Sequence, residues 1–261
     1  MTIAEINDIE CYYEIHGTGR PLVLIGGLAS DSQTWQLVLD RLKELFRVII
    51  FDNRAVGRTK DAGKPLDIPV MANDTVTLLE HLGVGNAAIL GHSMGGYIAQ
   101  EIAITYPARV NKLVLASTAA CTSGRNKHLF LNMADIYEET ASYEKLLKEF
   151  MVWMFTPGYF DDKERTDEFI RCALDHPYRQ TPEDFKRQVE AYIEYSSLDR
   201  LDRIQAETLV LSGEKDILIT REETDLLASG IPNARVKHIA GTAHSIQTES
   251  PEKFADEICA I

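Results

Sequence analysis

The sequence predicts an α/β protein built on a mostly parallel, doubly wound sheet, with a block of helices inserted between two late strands. Three observations carry that prediction. Short β-branched runs alternate with amphipathic stretches along most of the 261 residues. Four of these runs, Leu22-Val-Leu-Ile, Val48-Ile-Ile-Phe, Leu113-Val-Leu-Ala and Leu209-Val-Leu-Ser, are apolar throughout or nearly so, as strands covered by helices on both faces must be. The alternation then fails across 119–203, where no convincing strand pattern occurs.

Taken in order, strands are expected at 8–15, 21–25, 47–52, 87–90, 112–116, 208–212 and 235–239. Apolar residues at helical spacing place helices at 32–45, 68–82, 94–106, 220–229 and 251–258. Gly83 supplies a C-cap to the second of these and Pro107 stops the third. Strand–helix alternation of this kind winds helices onto both faces of one sheet. Within the interval 119–203 the helical stretches are 137–155, 161–174 and 182–196. An insertion this long packs over the carboxyl ends of the strands, where open α/β sheets hold their ligands. The expected organisation is a core of 1–118 and 204–261 with a helical cap, or lid, of 119–203.

Charge narrows the function. Lys and Arg number 27 against 40 Asp and Glu, a net −13, which argues against a nucleic-acid partner and against docking on an anionic membrane. The interval 121–205 carries 17 acids and 12 bases, so the surplus is spread over core and cap as a solubilising surface. A small-molecule substrate or a protein partner remains, with oligomeric state open. The N-terminal Met1-Thr-Ile-Ala-Glu-Ile lacks the basic and apolar regions of a secretory signal. The uncharged stretch 82–100 contains five glycines and does not read as a membrane span. Cys11, Cys121, Cys172 and Cys259 lie far apart with no C-x-x-C pair, which fits a reducing compartment, so the expected location is cytoplasmic. The histidines show no H-x-x-x-H spacing, and no metal site is expected.

The chemistry is concentrated in Gly91-His-Ser93-Met-Gly95, which falls between a buried strand and an apolar-faced helix. G-x-S-x-G in that setting is a nucleophile elbow. The serine occupies a strained turn that projects its hydroxyl from the sheet, and the glycines leave room for strand and helix to close together. The helix N-terminus offers free N–H groups to a developing oxyanion. A serine needs a base, and the base needs an orienting acid. Gly213-Glu-Lys-Asp216 follows one late strand and Gly241-Thr-Ala-His244 follows the next, so Asp216 and His244 emerge on the sheet edge that exposes Ser93; Glu214 is the reserve acid. His92 and His238 read as packing residues. The loop Gly26-Gly27-Leu28-Ala-Ser after the second strand offers the Leu28 N–H as one oxyanion donor, and Met94 offers the other. Gly83-Val-Gly85 precedes a strand instead of following one and does not make a dinucleotide fingerprint.

These segments, together with Asp52-Asn-Arg54-Ala-Val-Gly-Arg58, Tyr106-Pro-Ala-Arg109-Val and Ser250-Pro-Glu252, resemble the α/β-hydrolase superfamily. The chain looks most like its 3-oxoadipate enol-lactonase and carboxylesterase branch, whose cap has a stretch similar to Trp153-Met-Phe155-Thr-Pro157. The resemblance implies Ser93 as nucleophile, Asp216 as acid, His244 as base, and Leu28 with Met94 as oxyanion donors. Gly27, Trp153 and Phe155 are candidate substrate-binding residues, with packing inside the lid the alternative for Trp153 and Phe155, and no cofactor is required. Ala55 stands where the superfamily usually has Gly, and Val152 where an enol-lactonase has Arg. The expected activity is hydrolysis of a carboxylic ester or lactone of a small organic substrate through an acyl-enzyme. The alternatives are C–C bond hydrolysis of a vinylogous diketone with the same triad, a cofactor-free oxygenase relying on His244, and a triad-bearing ligand receptor with little turnover.

Overall fold

The computed structural model describes residues 2–261. Its strands are β1 (Thr2–Ile6), β2 (Ile9–His16), β3 (Arg20–Ile25), β4 (Phe46–Phe51), β5 (Ala87–His92), β6 (Val110–Ala116), β7 (Glu207–Gly213) and β8 (Ala234–Ile239). They form one sheet in the order β1-β2-β4-β3-β5-β6-β7-β8. β2 runs antiparallel to both of its neighbours, and every pairing from β4 to β8 is parallel. The helices are α1 (Gln36–Leu42), α2 (Ile68–His81), α3 (Met94–Thr105), α4 (Gly124–Thr140), α5 (Tyr143–Met154), α6 (Pro157–Asp161), α7 (Lys163–Asp175), α8 (Pro182–Glu194), α9 (Arg221–Gly230), α10 (Ile246–Glu249) and α11 (Pro251–Cys259). No helix among the described residues is long and apolar enough to cross a membrane.

The apolar runs are explained by two cores. Leu22, Leu24, Val48, Ile50, Leu90 and Val114 point to one face, where they meet Trp35, Leu42 of α1 and Phe254 of α11. Val23, Ile25, Ile49, Ile89, Leu113 and Leu115, the alternating residues, point to the other face and pack with α2 and α3. A strand residue in such a sheet is buried whichever way it points, so no polar alternation survives. Trp35 and Phe254 stack with ring centroids 6.4 Å apart, tying the start of α1 to α11 across the first face.

Three expected elements differ. The strand expected at 8–15 is preceded by a separate β1, turned back at Asn7 with φ 48°. The helix expected at 32–45 opens as a 3₁₀ turn (Ser32–Trp35) and ends at Leu42. The stretch 137–155 is two helices, α4 ending on left-handed Ala141 (φ 48°) and α5 starting at the N-cap Ser142, whose hydroxyl accepts from the Lys145 N–H. The insertion between β6 and β7 therefore holds α4 to α8, with the short α6 also unforeseen.

That insertion is hydrogen-bonded to the loops at the strand ends. On α8, the Gln188 amide donates to the Arg54 carbonyl, and Arg187 binds Asp61 and the Lys64 carbonyl. At the end of α5, the Met154 carbonyl accepts from the Ser245 N–H at 3.0 Å.

Candidate active site

β5 ends at His92 and α3 begins at Met94, so the whole change of direction falls on Ser93, at φ 54° and ψ −120°. A non-glycine residue there is strained by about 1–3 kcal/mol and persists because its surroundings hold it. The Ser93 N–H donates to the Ala116 carbonyl at 2.9 Å, and the Thr118 hydroxyl donates to the Ser93 carbonyl at 2.8 Å. Glycines make the close approach feasible: a Cβ on Gly91 would lie 2.1 Å from the Gly95 carbonyl oxygen, and one on Gly95 would lie 2.2 Å from that of Ile25.

The turn after β7 brings Asp216 to this place, and the loop after β8 brings His244. His244 Nε2 lies 3.0 Å from Ser93 Oγ, and His244 Nδ1 lies 2.9 Å from Asp216 Oδ2. The carboxylate accepts from Nδ1–H, which leaves the Nε2 lone pair facing the serine hydroxyl. Asp216 Oδ1 is occupied separately, accepting the Leu218 and Ile219 N–H groups at 2.9 Å each. Ser93 and Asp216 are 8% exposed and His244 is 3% exposed, so bulk water scarcely weakens these contacts. Glu214 is directed elsewhere, accepting from the Gly241 N–H.

The Met94 N–H and the Gly27 backbone border the serine. Met94 is the first residue of α3, so its N–H has no intrahelical partner. A Cβ on Gly27 would stand 3.1 Å from the Ser93 Cβ, so the chain at Gly27 runs close against the elbow.

Of the expected pocket residues, Trp153 is half-buried against the main core, with the Arg125 guanidinium 5.8 Å from its ring. Phe155 belongs instead to the insertion's own cluster, stacked on Tyr159 at 4.1 Å and edge-on to Phe169. The reason is local: the Met154 carbonyl bonds the Ser245 N–H and the Thr156 N–H bonds Glu249, which turns the intervening side chain inward.

Two neighbours of the site were not foreseen. His92 Nε2–H donates to the His244 carbonyl at 3.0 Å, so it does more than pack. Burial, reinforced by the nearby His244, pushes the His92 ring down to about 3 and keeps it neutral. Glu249 accepts from the Ala243 N–H beside the base, and from the N–H and hydroxyl of Thr156 on the insertion. The adjoining Ser250-Pro-Glu252 segment was visible in the sequence, but the partners of Glu249 are set by tertiary contact. His238 stands half-exposed on the edge strand β8.

This sheet order, elbow and insertion define one class of protein, and comparison gives it a name. The chain matches the alpha/beta hydrolase fold over residues 20–251 and belongs to that family. It is 28% identical to RutD of Azorhizobium caulinodans, provisionally named a carbamate hydrolase, covering 97% of this chain and 95% of that protein. It is 26% identical to 3-oxoadipate enol-lactonase 2 of Acinetobacter baylyi, covering 97% and 93%. Among solved structures, the thermophilic esterase of Thermogutta terrifontis superposes with a TM-score of 0.89 at 27% identity, covering 100% of this chain and 97% of that one.

Proposed function

We propose that this protein is a serine hydrolase acting on carboxylic esters or lactones of small organic molecules. The observation that carries the reading is the buried chain Ser93 Oγ–His244 Nε2 and His244 Nδ1–Asp216 Oδ2, at 3.0 and 2.9 Å. Ser93 Oγ attacks the acyl carbon as its proton passes to His244 Nε2. The tetrahedral oxyanion faces the Leu28 and Met94 N–H groups. The C–O bond then breaks, and the leaving alkoxide takes the proton from Nε2, leaving an acyl ester on Ser93. Water gives a proton to His244 and attacks that ester; collapse returns the proton to Ser93 and releases the acid. Asp216 stays ionised and holds the imidazole in its Nδ1–H form. The relatives are named for carbamate and lactone hydrolysis and the solved neighbour as an esterase, and carbamates, lactones and esters all present an acyl carbon open to this attack.

The test is turnover of esters, lactones and vinylogous diketones by wild type and Ser93→Ala. Ester or lactone hydrolysis should fall by about 10⁴-fold or more in the variant, and a fluorophosphonate should label wild type alone. A loss of only a few-fold would remove Ser93 from the mechanism. Exclusive turnover of the diketones would replace the ester reading with C–C hydrolysis.

A further inference from the structure

We propose that Gln188, on the inserted helix α8, is a positioning residue for the oxyanion hole. The proposal rests on the serine-hydrolase reading above. Gly27 to Ser30 forms a turn closed by the Ser30 N–H on the Gly27 carbonyl at 3.2 Å. Ala29 sits at φ 59° while Leu28 is not at positive φ, the pattern of a type II turn, which ordinarily has Gly at the Ala29 position. In such a turn the central peptide is rotated so that the Ala29 N–H points away from the Leu28 N–H. That outward N–H must find a partner, and it finds Gln188 Oε1 at 3.1 Å.

The amide of Gln188 is itself fixed. It is fully buried. Its Oε1 also accepts from Gln180 Nε2 at 2.9 Å, and its Nε2 donates to the Arg54 carbonyl at 2.7 Å. A flipped amide would set like against like at all three contacts. Gln188 thus selects the strained turn over its unstrained alternative, and fixes the turn that begins at Gly27, against Ser93, and carries the Leu28 N–H, before substrate arrives. Donors fixed in advance are what make an oxyanion hole effective.

The experiment compares wild type, Gln188→Met and Arg187→Met. Arg187 neighbours Gln188 on α8 and docks the same helix, through Asp61 and the Lys64 carbonyl, without touching the turn. A fluorophosphonate counts active sites, so that p-nitrophenyl acetate turnover is expressed per competent site. A trifluoromethyl ketone, whose serine adduct carries the oxyanion, supplies a Ki. Gln188→Met should lower kcat per site by about 10- to 100-fold, with KM within about threefold, and raise Ki in parallel with the loss in kcat/KM. Arg187→Met should lower Tm with both per-site values kept. If Gln188→Met does not fold, Gln188→Asn, one methylene too short to reach the Ala29 N–H, is read in its place.

Per-site kcat and Ki within about twofold of wild type in the Gln188 variant would overturn the proposal, as would an equal change in Arg187→Met. Failure of the underlying reading looks different: wild type would not titrate with the fluorophosphonate, and Ser93→Ala would remain active.

Discussion

His92 donates its Nε2–H to the backbone carbonyl of His244 at 3.0 Å, so the residue before the serine holds the main chain of the histidine that faces it. The two rings lie 5.1 Å apart, centroid to centroid. A second positive charge at that separation would oppose protonation of His244, and burial keeps His92 neutral.

That neutrality has a cost in acid. The unfolded chain protonates His92 below about pH 6.5, whereas the folded protein resists until about pH 3. The contribution is therefore full above pH 6.5 and is lost as pH falls towards 3, by about 1.4 kcal/mol per pH unit. His92→Gln keeps an N–H for the carbonyl and removes the titration. Urea unfolding between pH 6 and 4 should show a slope shallower than that of wild type by about one proton. Equal slopes would mean that His92 titrates normally in the folded protein.

Asp216→Asn should reverse the imidazole. The Leu218 and Ile219 N–H groups hold an oxygen at Oδ1, so the new amide nitrogen replaces Oδ2 opposite His244 Nδ1. An N–H there forces Nδ1 to accept, and Nε2 then carries the proton and cannot take one from Ser93. Ester kcat should fall by about 10³- to 10⁴-fold with little change in Tm. Activity within about tenfold of wild type would show that another group orients the base.

Ala55 occupies φ 62°, where an L-residue is disfavoured by about 1–2 kcal/mol. Ala55→Gly relieves that strain and gives back part of the gain through a freer unfolded chain. A net stabilisation of about 0.5–1 kcal/mol is expected, a rise of about 2 °C in Tm by calorimetry. A fall in Tm would indicate that the buried methyl contributes more than the strain.

The sheet was legible because its central strands are apolar on both faces, and the Ser93, Asp216 and His244 positions were legible because each follows a strand end. β1 escaped because its burial alternates over only five residues next to a turn at Asn7. The break at Ala141 has neither Gly nor Pro to announce it. The packing of Phe155 on Tyr159 is one of two readings the sequence leaves open, because spacing does not say which way a side chain turns within the insertion. Gln188 was invisible for a different reason: its partner Ala29 lies 159 residues away, and only the folded chain brings them together.

The Glu249 clip bears on how such proteins can be recombined. One carboxylate joins Thr156 of the insertion to Ala243, the residue before the base. A foreign insertion grafted onto this sheet brings its own residue to the position of Thr156. Without a matching N–H and hydroxyl there, the graft alters the seat of His244 as well as the shape of the pocket. On the serine-hydrolase reading, a chimera that keeps the seat of His244 has to exchange both halves of the clip.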